Sequence, residues 1–102
     1  MFLKVSAAGE VTFEDRDNFR AFKLVAEGGP GNLDALRRAV ADKAELPDAQ
    51  TAWVFEGALR HWAGVADNAD WQSELSVMIE KARPHGWIDD DRKAIKAHVE
   101  WV

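Results

Sequence analysis

Chemistry near neutral pH calls first on histidine, and this chain has three: His61, His85 and His98. His98 and Glu100 stand two residues apart. On a strand they would share a face, where a carboxylate raises an imidazole's pKa and the two could exchange protons with a substrate. The same face would also carry Lys96 and, from an N-terminal hairpin, Lys4, Ser6, Glu10, Thr12 and Glu14. A one-sided sheet turns just such a mixed-charge surface to water, so the pattern serves solvation as well as catalysis. His61 has no histidine or carboxylate three or four residues before it, and His85 sits in the helix-ending run Pro84-His85-Gly86. Neither has the partners a metal ion needs, and no metal or other cofactor is expected. Without cysteine there is no thiolate ligand, disulfide or thiol nucleophile. The few Ser and Thr residues carry no nucleophile-elbow motif. Asp89-Asp90-Asp91 lacks the alternating ligands and closing glutamate of a calcium loop. Gly28, Gly29, Pro30 and Gly31 follow an expected helix instead of opening one, and no lysine stands at phosphate-loop spacing. No catalytic constellation emerges.

Binding is the stronger theme. Residues Asp48 to Gly64 fit one helix, with Ala52, Phe55, Ala58, Leu59, Trp62 and Ala63 on a broad apolar face. Trp53, Gly57, Arg60 and His61 then form a second surface with an aromatic anchor, a flat glycine and a cation. Interface cores are enriched in Trp and Arg, and a helix apolar on two sides needs two neighbours. The expected function is therefore contact with a protein, either a second copy in a homodimer or another partner. The alternative is a small enzyme or ligand-binding module with a His/carboxylate pocket. Glycine inside a helix costs about 1 kcal/mol against alanine. At Gly57 the expected return is the close approach of another backbone.

Composition narrows the partners. Eighteen acidic against thirteen basic residues give a formal net charge of −5. The only adjacent basic pairs are Arg37-Arg38 and Arg92-Lys93, too little for a phosphate-binding footprint, so nucleic acid is not expected. No stretch approaches the ~20 apolar residues of a membrane span, and MFLKVSAAGEV lacks a signal-like apolar run. The location expected by default is the cytoplasm, with no membrane partner expected. At 102 residues it should form one domain. Five Trp and five Phe with no Tyr supply bulky material for a small core.

The elements that would position these residues follow from periodicity. Leu3 and Val5 alternate with polar neighbours, as do Val11 and Phe13, and Ala8-Gly9 joins the two runs as a hairpin. Asp17 opens a first helix with Phe19, Phe22, Val25 and Ala26 on its inner face. Asn32 opens a second through Leu33, Leu36, Ala39, Val40 and Ala44. Asp48 to Gly64 is the third. Asp67-Asn68 precedes a fourth, with Trp71, Leu75, Met78, Ile79 and Ala82 inward. Residues 90–102 are ambiguous. Ile95, Ala97, Val99 and Trp101 alternate as in a strand, whereas Ile95, His98, Val99 and Val102 fit a helix. The strand is preferred because it would complete a sheet with the hairpin, and Trp87-Ile88 could pair to it across the acidic turn. The expected fold is α+β: a small antiparallel sheet, from the N-terminal hairpin and the C-terminal strand, covered on one face by about four helices. Its alternative is a mainly α chain with an N-terminal hairpin and a C-terminal helix.

Overall fold

A computed structural model describes residues 1–102, and its centre is the C-terminal strand. Seven strands form one curled mixed sheet, a half-barrel, with three α-helices against it. The strands are β1 (Phe2–Val5), β2 (Val11–Glu14), β3 (Lys23–Ala26), β4 (Ala44–Glu45), β5 (Thr51–Phe55), β6 (Ile88–Asp89) and β7 (Ala94–Trp101). The helices are α1 (Leu33–Ala39), α2 (Glu56–Arg60) and α3 (Ala69–Ala82). The order across the sheet is β2-β1-β3-β7-β5-β4, with β6 paired to β7. Both the small antiparallel sheet under four helices and the mainly α alternative are thereby overturned.

Two expected helices fail, each for a physical reason. Lys23–Ala26 is a strand, parallel to β1 on one side and to β7 on the other. Leu24 and Ala26 are buried between Lys23 and Val25, which are half-exposed. Four residues hydrogen-bonded on both edges outweigh a weak helical period. Asp17 caps nothing here; the chain turns at Asp15–Asn18, with Asp15 at φ 51°. Thr51–Phe55 is likewise a strand, with Ala52 and Val54 at 0% exposure and their neighbours half-buried. TAWVF is rich in β-branched and aromatic residues, and sheet pairing on both sides decides a run too short for periodicity to settle. Asp48 does accept from backbone N–H groups, those of Gln50 (2.8 Å) and Thr51 (2.9 Å), but this turn delivers a strand. Only Glu56–Arg60 of the long expected helix is helical.

The expected second helix is cut short: α1 ends at Ala39, Asn32 donates its side-chain amide to the Gly28 carbonyl instead of capping the helix, and Ala44 belongs to β4. The hairpin and α3 form as their sequences suggest. The hairpin pairs Leu3 with Phe13 and Val5 with Val11, and Gly9 takes the positive φ (87°) of its turn. In α3 the Asn68 side chain accepts from the Trp71 N–H at 3.0 Å, and Trp71, Leu75, Ile79 and Ala82 are buried on one face. β7 resolves the C-terminal ambiguity in favour of the strand: Ile95, Ala97 and Val99 point into the core, Lys96, His98 and Glu100 away from it. The turn back from Ile88–Asp89 runs through the acidic triplet, where Asp89 accepts from the N–H groups of Asp91 and Arg92.

The core lies between the inner face of the sheet and the helices, with α3 contributing most of the cover. Phe13 meets Trp62 and Trp71 edge-on, at centroid distances of 5.5 and 5.9 Å. Trp71 donates its indole N–H to the Arg16 carbonyl (2.9 Å), and Trp101 donates to that of Ala49 (2.7 Å). The radius of gyration is 13.0 Å, that of a compact chain of this length. No helix is long and apolar enough to cross a membrane.

Strand and helix make opposite demands at residues 24 and 25. Leu24→Ala should cost about 2–5 kcal/mol, as deletion of a fully buried leucine side chain does. Val25→Ala should cost less than about 1.5 kcal/mol, because Val25 is only half-buried and loses little transfer energy. Urea denaturation of the two variants reads the difference, and the expected first helix would reverse the order.

Candidate functional site

Trp53, Gly57, Arg60 and His61 do not share a helical face. Trp53 belongs to β5, beside Lys96 of β7 and Glu45 of β4. The Arg92 guanidinium lies 5.5 Å from its ring centroid, held there by Asp89 and Glu45. Gly57 is exposed in the first turn of α2. A Cβ built on it would meet only the His61 imidazole, at 3.9 Å, so no backbone approaches it closely. Arg60 works within the chain: it donates to Glu56 Oε2 (2.8 Å), to the Gln72 side chain (2.9 Å) and to Ser76 Oγ (2.8 Å). These bonds tie α2 to α3. His61 is an exposed C-terminal cap of α2, its N–H donating to the Gly57 carbonyl at 3.1 Å. The two-faced helix that motivated self-association is therefore absent.

His98 and Glu100 do share the outer face of β7, as their spacing requires. Glu100, however, is bound to Lys23 at 2.9 Å, and that hydrogen bond and charge hold its carboxyl below the usual glutamate range. A carboxylate so engaged is poorly placed to serve as a base at neutral pH. Lys4, Thr12 and Glu14 are further off than expected, because β3 intervenes between the hairpin and β7.

The structure gathers a different set around His98. A cleft of about 840 Å³ opens between the C-terminal part of α3 and the middle of β7, a size common for small-molecule sites. Phe19, Arg20 and Phe22, from the segment before β3, form one wall. Met78, Lys81 and Ala82 of α3 form another, continued by His85 and Trp87. The four β7 residues from Ile95 to His98 make the floor, with Gln50 and Thr51 beside them. His85 and Trp87 are stacked, with ring centroids 4.4 Å apart and planes 19° apart, and Trp87 is 46% exposed.

The charges are one-sided. Arg20, Lys81 and Lys96 line the cleft with two of the three histidines, and no aspartate or glutamate does. None of those three cations forms an ion pair, whereas most other basic side chains in the chain do. In a chain of net charge −5, such a cluster is a local reversal of sign. That Arg20, Lys81, the His85-Trp87 pair and Lys96 share one cleft is not legible in the sequence, because they come from segments far apart along it. Only the alternation Lys96-Ala97-His98 hinted that two of these groups share a face. No group of His, Asp and Glu side chains is arranged to hold a metal ion.

No protein-family model, curated protein or solved structure matches the chain.

Three variants test these placements. Gly57→Ala should stabilise the fold by about 0.5–1 kcal/mol, because helix propensity improves and nothing occupies the space. Arg60→Ala should destabilise it by about 1–3 kcal/mol, since Gln72 and Ser76 lose a charged donor. Thermal melts distinguish the signs. For Glu100 the folded pKa lies below the unfolded one, so its pairing stabilises the protein above the unfolded value. That contribution is lost as pH falls through the folded value. Stability measured from pH 7 down to about pH 3 should therefore fall less steeply in Glu100→Gln than in the parent chain.

Proposed function

We propose that the chain is a binding module for a small acidic ligand, taken up in the cleft between α3 and β7. One observation carries this reading: three unpaired cations and two imidazoles converge on a concavity with no carboxylate, in a chain that is acidic as a whole. Like charges gathered around one cleft repel, and folding gains nothing from bringing them together unpaired. An anion between them converts that repulsion into attraction, and the partly enclosed walls weaken solvent screening. Aromatic and aliphatic side chains supply the remaining wall, the usual composition of a small-molecule site. The arrangement supports recognition rather than a reaction, because Glu100 is engaged with Lys23 and lies outside the cleft lining.

Titration with benzoate followed by two-dimensional NMR tests the proposal. Shifts should concentrate on the Trp87 indole and on the amides of Lys96 and His98. Affinity should drop several-fold between low salt and about 0.5 M salt, as screening of the cations requires. It should also drop in Lys81→Ala/Lys96→Ala, two exposed positions whose loss leaves the core intact. Shifts scattered over the surface, or binding indifferent to that double variant, would defeat it.

A further inference from the structure

The cleft has an orientation as well as a charge, and the pairing of β7 sets it. Residues Ala94 and Ile95 pair with β5 and β6 at once, and His98 pairs with β5 and β3 at once. A strand has two edges, so β3 and β6 must lie along the same one. Ile95 is the last residue paired to β6, and His98 is the first paired to β3. The Lys96 N–H donates to the Trp87 carbonyl (2.8 Å), and beyond that bond the two strands part. The sheet is forked at Lys96 and Ala97.

An intact sheet separates the side chains of alternate residues by its own thickness. At the fork one edge of β7 is open while β5 still pairs to the other, so the cavity reaches both faces there and four consecutive residues, Ile95 to His98, line it. Ile95 and Ala97 belong to the hydrophobic core, against which Phe19, Phe22 and Met78 also pack. Lys96 and His98 are exposed on the opposite face, beside Thr51. The β7 floor of the cleft thus grades from apolar on the core side to cationic on the outer side, and the two-residue period of the strand imposes the gradient.

Building on the anion-binding reading above, we infer that the ligand is an amphipathic carboxylate. Its apolar body lies against Met78, Phe22 and Ala97, and its acid group lies at Lys96 and His98. A compact hydrophilic anion would leave the apolar wall wetted and use only the outer half of the cleft. A neutral apolar molecule would leave the cations unpaired. A ligand carrying both parts satisfies both halves.

Three probes separate this inference from the reading it rests on: hydrocinnamate, acetate, and the neutral amide of hydrocinnamate. Calorimetric and NMR titrations should show hydrocinnamate binding at least about tenfold more tightly than acetate, since burying its phenyl and methylene groups adds affinity. It should also exceed the amide by about fivefold or more, the contribution expected of a partly screened charge. Lys96→Ala should weaken hydrocinnamate and leave the amide unchanged. Met78→Gln should weaken hydrocinnamate and leave acetate unchanged, with circular dichroism confirming that it folds. If acetate binds in the cleft as tightly as hydrocinnamate, the amphipathic assignment is overturned while the anion site stands. If the amide binds as tightly as its acid, or if no probe binds, the anion site falls as well. The probe series uses the parent chain, so the outcome does not depend on the stability of either variant.

Discussion

Both edges of β7 are occupied, and the sheet hangs on that fact. On one side it pairs with β5, and through β5 with β4; on the other it pairs with β3, and through β3 with the β1–β2 hairpin. Without β7 the sheet falls into three unconnected pieces: β2-β1-β3, β5-β4 and a lone β6. Ile95, Ala97 and Val99 also supply the middle of the inner surface on which the helices rest. Eight residues therefore carry both the hydrogen bonding that unites the pieces and the apolar surface that lets α3 cover them.

The same strand explains where the cleft is. β7 outlasts its neighbours: β6 covers only its beginning and β3 only its end along the shared edge. A long strand with two short partners on one side must leave an interval between them. The interval falls where Lys96 and His98 alternate with Ile95 and Ala97, so a consequence of strand length becomes a place where charge and core meet. The other walls come from distant parts of the chain, the loop before β3 and the end of α3, each held by contacts of its own. Phe19, for instance, packs on Trp71, with centroids 5.7 Å apart.

Much of the local structure was legible in the amino acids, and less of the global arrangement. The hairpin and α3 with its Asn68 cap have strong, uninterrupted periods with clear turn residues at their ends, whereas the β7 residues fit a helix face as well as a strand, and pairing on both edges makes them a strand. Lys23–Ala26 and Thr51–Phe55 had no such signature. Runs of four and five residues fit both a strand and a turn of helix, and what makes them strands is pairing with residues far away in sequence. That misassignment carried through to the site. Once Trp53 is on a strand, it cannot share a helical face with Gly57 and His61. His98 was noticed because its alternation with Lys96 and Glu100 is local. Its partners from other elements are not legible that way, since nothing along the chain links Arg20 or Lys81 to it. The charge reversal exists only in three dimensions.

A sheet joined through its last strand also has a history in time. β1, β2 and β3 come early in the chain and β5 midway, yet the strand that unites them begins at Ala94. During synthesis the first strands emerge with β3 lacking its neighbour on one edge, while Leu24 and Ala26 are still uncovered. Pairings that span most of a chain close slowly, because the entropy of the intervening loops is lost before the contacts form. The β3–β7 pairing accordingly carries the largest loop-closure entropy in the sheet. The exposed edge of β3 is the feature by which a waiting chain would find a neighbour's strand in place of its own.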